Sequence, residues 1–270
     1  MRRLINREPS RAGAFVLAAL PFVLLIAIYL AASDARLALN ADDKLLPSPA
    51  ALADSIGRLV AEPDRRSGDI LLWQDTVASL QRLLLGLAIA GVTALCLGTA
   101  IGAIPHVHAT LGPVVGVSAM IPPLAVLPIL FITLGLGEVA KVVLIVIGVT
   151  PVMIRDLAFR VGEIPKELIL KAQTLGASTW QLLLRIVLPM LLPQLLRALR
   201  LALGPAWLFL IAAEAIASTE GLGYRIFLVR RFLAMDVILP YVAWITLLAF
   251  TMDWLLGWLG RRYFTWAESR

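Results

Sequence analysis

The sequence predicts an all-α integral membrane protein with six transmembrane helices. Of its 270 residues, 60% are apolar and only 16% are charged, against roughly a quarter charged in soluble domains. The mean hydropathy is +0.89. The apolar residues gather into six long runs, most of them able to cross a hydrocarbon core of about 30 Å as a helix. One polar stretch, residues 162–193, divides the fourth run from the fifth.

The same composition excludes other classes. A formal charge of +6 and 24 Lys and Arg could suggest nucleic acid, but these residues are spread over loops, with no basic run interleaved with aromatics. Basic loop ends are what membrane topology requires. Cys96 is the single cysteine; no intramolecular disulfide can form, and it reads as a small buried hydrophobe.

In chain order, residues 1–12 carry Arg2, Arg3, Arg7 and Arg11 and form a cytoplasmic N-terminus. The apolar run 13–32 is longer than a usual signal-peptide core and reads as an uncleaved first helix. Residues 33–75 hold eight acids against five bases, which suits the outer, periplasmic face. Within that loop, 47–60 fits a short amphipathic helix on the membrane surface and 62–69 a loop tip. Residues 76–260 form the core, with spans at 77–104, 111–134, 139–154 extended to 159, 196–217 and 237–259; residues 261–270 are a cytoplasmic tail. Gly98 and Gly102, and Gly112 and Gly116, stand four apart and predict close helix packing within the chain. Pro122, Pro123 and Pro128 predict a bent or broken third span. With the N-terminus inside, cytoplasmic segments hold 14 Lys and Arg and outer segments 9, the bias that places both termini and the 162–193 loop in the cytoplasm.

That loop has its own organisation. Pro165 can open a short helix in which Leu168, Ala172 and Leu175 form one apolar face against Lys166, Glu167, Lys171 and Gln173. Gly176 stops it. After Ala177, Ser178 with Gln181 three residues on makes a capping box that starts a second helix carrying Trp180, Leu184 and Val187 on one side.

Several residues carry chemistry that their surroundings define. No Gly-x4-Gly-Lys-Ser/Thr phosphate loop occurs, so ATP-driven work would need a separate subunit. His106 and His108 fall in a short cytoplasmic turn without carboxylate or Cys neighbours, and no metal site is expected. Glu214 is an ionisable group near the outer end of an apolar helix: either it pairs with Arg225 or Arg230, or it lines the path and gates it. Asp253 and Arg82 also lie inside spans, and are candidates to pair with each other or with backbone. Residues 218–223 read as a re-entrant turn at the outer mouth, with both glycines supplying turn geometry. No cluster of nucleophile, acid/base or metal-ligand residues occurs at one depth, so no catalytic, cofactor or metal residues are assigned.

The 162–193 stretch resembles the cytoplasmic coupling loop of the permease subunits of bacterial binding-protein-dependent ABC importers. That pattern is Glu-Ala-Ala, three residues, Gly, and a later Leu-Pro. Ala172, Gly176, Ala177 and Leu188-Pro189 match, while Leu170 and Lys171 stand where Glu and the first Ala would be. The likeness runs on through Pro193, Ala198-Leu199-Arg200, Gly204, Ala206-Trp207 and Glu214 to Gly221-Leu222-Gly223. Upstream it includes Leu46-Pro47-Ser48-Pro49, Ser79-Leu80-Gln81-Arg82 with Gly86, and Ile121-Pro122-Pro123. It covers about residues 45–266 and is similar to the nitrate/taurine/aliphatic-sulfonate branch. Segments 118–135 and 207–244 look most like the subset associated with urea or guanidine carboxylation.

The resemblance implies a type I importer permease fold and a set of partners. These are a cytoplasmic ABC ATPase dimer that binds the ATP, a periplasmic or lipid-tethered solute-binding protein, and a second permease copy, expected to be identical. The loop residues Pro165, Lys166, Leu168, Ala172, Leu175, Gly176, Ala177, Ser178 and Trp180 would then touch the ATPase, and Glu214, Trp207 and Asp253 are pathway or gate candidates. The solute would be small and polar: nitrate, taurine or a sulfonate, or a urea- or guanidine-type compound. The rival expectation, an ion-coupled secondary transporter, would need ionisable groups near the bilayer midplane, where this chain has few.

Overall fold

The computed structural model describes residues 9–40, 43–64 and 68–267, and every regular element among them is helical. The charged N-terminal Arg2, Arg3 and Arg7 lie outside the described residues. Eleven helices follow in order: α1 Arg11–Leu39, α2 Pro49–Ala61, α3 Leu71–Ala103, α4 Pro105–Ser118, α5 Pro123–Leu134, α6 Glu138–Gly162, α7 Lys166–Thr174, α8 Thr179–Leu182, α9 Leu188–Ala217, α10 Leu222–Val229 and α11 Met235–Tyr263. The chain divides into two compact units, one of residues up to 62 with 229–240, the other of 63–228 with 241–270.

In the first unit, α1 is capped by Ser10, whose hydroxyl accepts from the Gly13 amide at 3.2 Å. None of its apolar window is buried by protein, as expected for a helix solvated by lipid. It runs seven residues beyond the predicted end at 32 because its polar residues find partners: Ser33 Oγ donates to Leu46 O at 3.0 Å, and Arg36 pairs with Asp43. Tyr29 Oη donates to Pro47 O at 2.7 Å. Ser48 caps α2 and Pro49 opens it, as proline can where no helical N–H is needed. Ser55 Oγ on α2 donates to Asp236 Oδ2 at 2.9 Å.

The second unit is centred on α3, α6 and α9. Gly86, Gly98 and Gly102 of α3 lie against Ile145, Leu157 and Val161 of α6 in the same order, so the two helices run parallel. An added Cβ on Gly98 would stand 2.8 Å from Leu157 Cβ, and one on Gly102 would stand 2.6 Å from Val161 Cβ. Lipid tails compete with apolar side chains on equal terms, so such close backbone approach is what holds the pair. The second glycine pair behaves differently: Gly112 meets only the ring of His108 on its own helix, and Gly116 meets nothing. Cys96 is exposed rather than buried, because it points away from the small-residue face of α3 that approaches α6.

Five helices have the length and hydropathy of membrane spans; α4 and α5 reach them only as a pair, bent by 93°, which gives five spans or six if the pair counts as one. The bend falls at residues 119–122, immediately before Pro123, where proline removes donors. His106 and His108 occupy the first turn of α4 rather than a loop; one residue, Ile104, separates α3 from α4. The second helix of the 162–193 loop and the span read at 196–217 are joined into one, past Pro189 and Pro193. Helix runs unbroken from Thr179 to Ala217, and the proline is accommodated by a widened π turn over Leu183–Val187. The non-helical part of the 162–193 stretch is therefore confined to the flanks of α7.

Candidate functional site

Two places concentrate chemistry, and they lie at opposite ends of α6 and α9. The first is a buried charge cluster. Asp75, Ser79 and Arg82 stand at i, i+4 and i+7 on α3 and thus share one face. Arg82, with 3% of its side chain exposed, pairs with Glu138 at the start of α6, with fully buried Glu214 near the end of α9 at 2.7 Å, and with Glu220 at 3.3 Å. It also donates to Glu220 O at 3.1 Å. Lys141 joins Glu138 at 2.7 Å and donates to Ser218 Oγ at 3.0 Å. Asp75 pairs with Arg225 of α10 at 2.8 Å and accepts from Tyr241 Oη at 3.2 Å. Burial works against the Arg225 charge, but Asp75 beside it holds its pKa above the ordinary guanidinium range.

This cluster grips the backbone of one turn. The amides of Gly221, Leu222 and Gly223, which begin α10 and have no helical acceptor, donate to Asp75 Oδ1 at 2.8 Å, Ser79 Oγ at 2.9 Å and Glu214 Oε2 at 2.9 Å. Two carboxylates at a helix start also match the sign of its dipole. Gly221 has φ +119, and an added Cβ would stand 2.5 Å from Glu214 Cδ. Gly223 is helical, and its role is close approach: a Cβ there would be 2.7 Å from Ile211 O. The turn read at 218–223 is thus a loop of four residues followed by a helix capped from α3 and α9.

The second place is the segment around α7. Pro165 sits at the cap position and α7 begins at Lys166. Its end is a Schellman motif: Gly176, at φ +81, donates to Gln173 O at 2.9 Å and Ala177 to Ala172 O at 3.0 Å. Ser178 then makes the capping box with Gln181, its amide donating at 2.8 Å and its hydroxyl accepting at 3.3 Å. No residue of α7 is buried. Leu168 is 44% exposed, Leu175 79% and Trp180 67%, so an apolar face stands without a partner among the described residues. Val187, expected beside Trp180 and Leu184, is buried.

Residues 94–265 match the model of the binding-protein-dependent transport system inner membrane component family. The chain belongs to this family. It is 40% identical over 199 residues to the taurine transport system permease protein of Escherichia coli, covering 73% of this chain and 72% of the relative. It is 34% identical to the riboflavin transport system permease protein of Chloroflexus aurantiacus (83% and 81% covered) and 33% identical to the bicarbonate transport system permease protein of Synechococcus elongatus (71% and 69%). Among solved structures, the inward-facing MetNI methionine ABC transporter aligns with a TM-score of 0.63 at 20% identity, over 71% of this chain and 95% of that one, which fixes the fold. The protein is a multi-pass inner-membrane permease subunit of an ABC importer, a class that works with an ATPase and a substrate-binding protein. Nothing in these likenesses favours an ion-coupled transporter.

Within the permease, the charged residues pair differently from the sequence reading. Glu214 meets Arg82, not Arg225 or Arg230, and both its oxygens are engaged. Asp253 meets Arg200 of α9 through two bonds, at 2.8 and 2.7 Å, rather than Arg82. Depth is the reason. Arg82 meets α9 at Glu214 and Asp253 meets it at Arg200, fourteen residues apart on one helix, so at 1.5 Å per residue the two sites lie about 21 Å apart along α9. Trp207 is buried in α9, and its indole N–H has no hydrogen-bond partner among the described residues. Asp75 and Glu138 were passed over in the sequence, although the polar i, i+4, i+7 stripe on an apolar span could have marked the first.

Proposed function

We propose that the permease couples to a separate ATPase through α7 and its flanks, and that the ATP site belongs to that partner. The observation that carries this reading is the unpartnered apolar face of α7, fixed between Pro165, the Gly176 Schellman turn and the Ser178 cap. A short helix held rigidly at both ends can transmit a push without absorbing it, and continuous helix from Thr179 to Ala217 carries that push along α9. The reading places the loop and both termini in the cytoplasm, in keeping with the Lys and Arg bias. Pro165, Lys166, Leu168, Ala172, Leu175 and Trp180 are the contact residues. Two identical copies would pair to enclose the path.

The solute in this proposal is small and polar, of the taurine or sulfonate kind, which agrees with the likeness to the Escherichia coli taurine permease. A guanidine-type cation is supported less. Both candidate acids in the spans, Glu214 and Asp253, are already matched by arginines, and neither offers a cation an unengaged carboxylate.

The test is cysteine cross-linking of Leu168→Cys to the co-expressed ATPase, with uptake of labelled taurine, an alkanesulfonate and guanidinium measured in cells with and without this chain. Absence of any cross-link from α7, with uptake intact, would sink the coupling assignment.

A further inference from the structure

We propose that the cavity between α4 and the C-terminal half of α6 binds an organic oxyanion, a phosphate or sulfonate head carrying an apolar tail. The cavity has a volume of about 730 Å³, within the range of small-molecule sites. Its walls are mostly apolar, with Ile101 of α3, Val115 of α4 and Phe159 of α6 among them. Its polar groups are His108, Arg155 and Asp156.

The charges at its edge are unevenly paired. Asp156 is engaged by Arg160 at 3.4 Å, which also reaches Glu163 at 3.0 Å. Arg155 has no acid within ion-pair distance among the described residues, so its guanidinium is open to a ligand in the cavity. A guanidinium presents a planar fork of donors that fits an oxyanion two bonds at a time. His108 adds an imidazole donor, and its ring lies over Gly112, where an added Cβ would touch it at 3.8–3.9 Å. An inorganic ion would use the basic edge and leave the apolar walls uncovered. An anion with a short hydrocarbon chain satisfies both.

Two sources supply that chemistry: an anionic phospholipid of the surrounding bilayer, or a sulfonate-type solute on its way through. The experiment separates them with the full chain purified in an uncharged detergent, titrated by calorimetry with dihexanoyl phosphatidylglycerol, with hexanesulfonate, and with dihexanoylglycerol as a control lacking the anion. At least one anionic probe should bind at one site per chain and the control should not. Arg155→Gln, which removes the charge, and Gly112→Leu, which fills the space and keeps it, should each weaken binding roughly tenfold or more. Both changes fall where no packing or ion pair is broken, so the thermal midpoint should stay at the wild-type value. Binding of phosphatidylglycerol alone assigns the site to lipid, of hexanesulfonate alone to solute, and of both to the shared anion chemistry. No binding by either probe, or unchanged affinity in either variant, overturns the proposal. Because binding is read without transport or ATP, such a failure leaves the importer reading untouched.

Discussion

Arg82 on α3 and Glu214 on α9, 132 residues apart in the chain, meet at 2.7 Å with 3% and none of their side chains exposed. Neither charge could stay ionised there alone, because desolvating a single ion costs several kcal/mol. Together they tie three spans and the start of α10 into one end of the second unit.

Breaking that pair should cost stability before it costs transport. Glu214→Gln is expected to destabilise the fold by about 3–5 kcal/mol, less if Glu138 and Glu220 hold Arg82 in place. Arg82→Gln should be worse, since it strands Glu214 without a cation. The double variant should recover part of the loss. Thermal midpoints and detergent-extracted yields of the four proteins measure this, and additivity within about 0.5 kcal/mol would remove the coupling.

The Arg200–Asp253 pair offers the contrast. Its side chains are 38% and 42% exposed within the chain, so Asp253→Asn should cost under about 1 kcal/mol where those surfaces face water. A loss as large as that of Glu214→Gln would show that another copy of the chain buries this pair.

Two of the positive-φ glycines, Gly176 and Gly221, should respond differently to substitution. Gly176, at φ +81, has open space around it; Gly176→Asn should be nearly neutral, while Gly176→Val should abolish uptake without preventing membrane insertion. Gly221→Ala adds a clash with Glu214 to the strain of φ +119, and should lower yield as well as uptake. Wild-type uptake in Gly176→Val would detach the elbow from coupling.

Topology is testable in a Cys96→Ala background, needed because Cys96 is exposed. Thr174→Cys should resist an impermeant thiol reagent added outside intact spheroplasts, and Glu62→Cys should react. The opposite pattern would move the α7 segment to the wrong side of the membrane for an ATPase.

In the first unit, Asp43 accepts from Arg36 and from the Leu45 amide at 2.8 Å. These bonds, the one to Arg36 first, hold its pKa below the ordinary 3.8. A lowered folded value means the stabilisation is complete above pH 3.8 and is lost as pH falls through the lower value. The Asp43 carboxyl followed by NMR should titrate below 3.8, and Arg36→Gln should move its midpoint up.

What the sequence by itself determined was local. Hydropathy runs located the spans, the prolines at 122 and 123 located the bend, and Pro165, Gly176 and Ser178 with Gln181 wrote the ends of α7 and the start of α8. Each rests on a rule that acts within about four residues: a missing donor, a left-handed φ, a side chain reaching a nearby amide. What only the tertiary structure decided was pairing. Glu214 had three arginines to choose from and Asp253 two, and the choice followed from depth and facing, which depend on how α3, α9 and α11 are shifted against one another. The same holds for the start of α9, where a π turn over Leu183–Val187, which no residue type announces, precedes Pro189. Local rules fix the ends of helices; register between helices is a property of the packed unit, and so are the pairings of Arg82 with Glu214 and of Asp75 with Arg225.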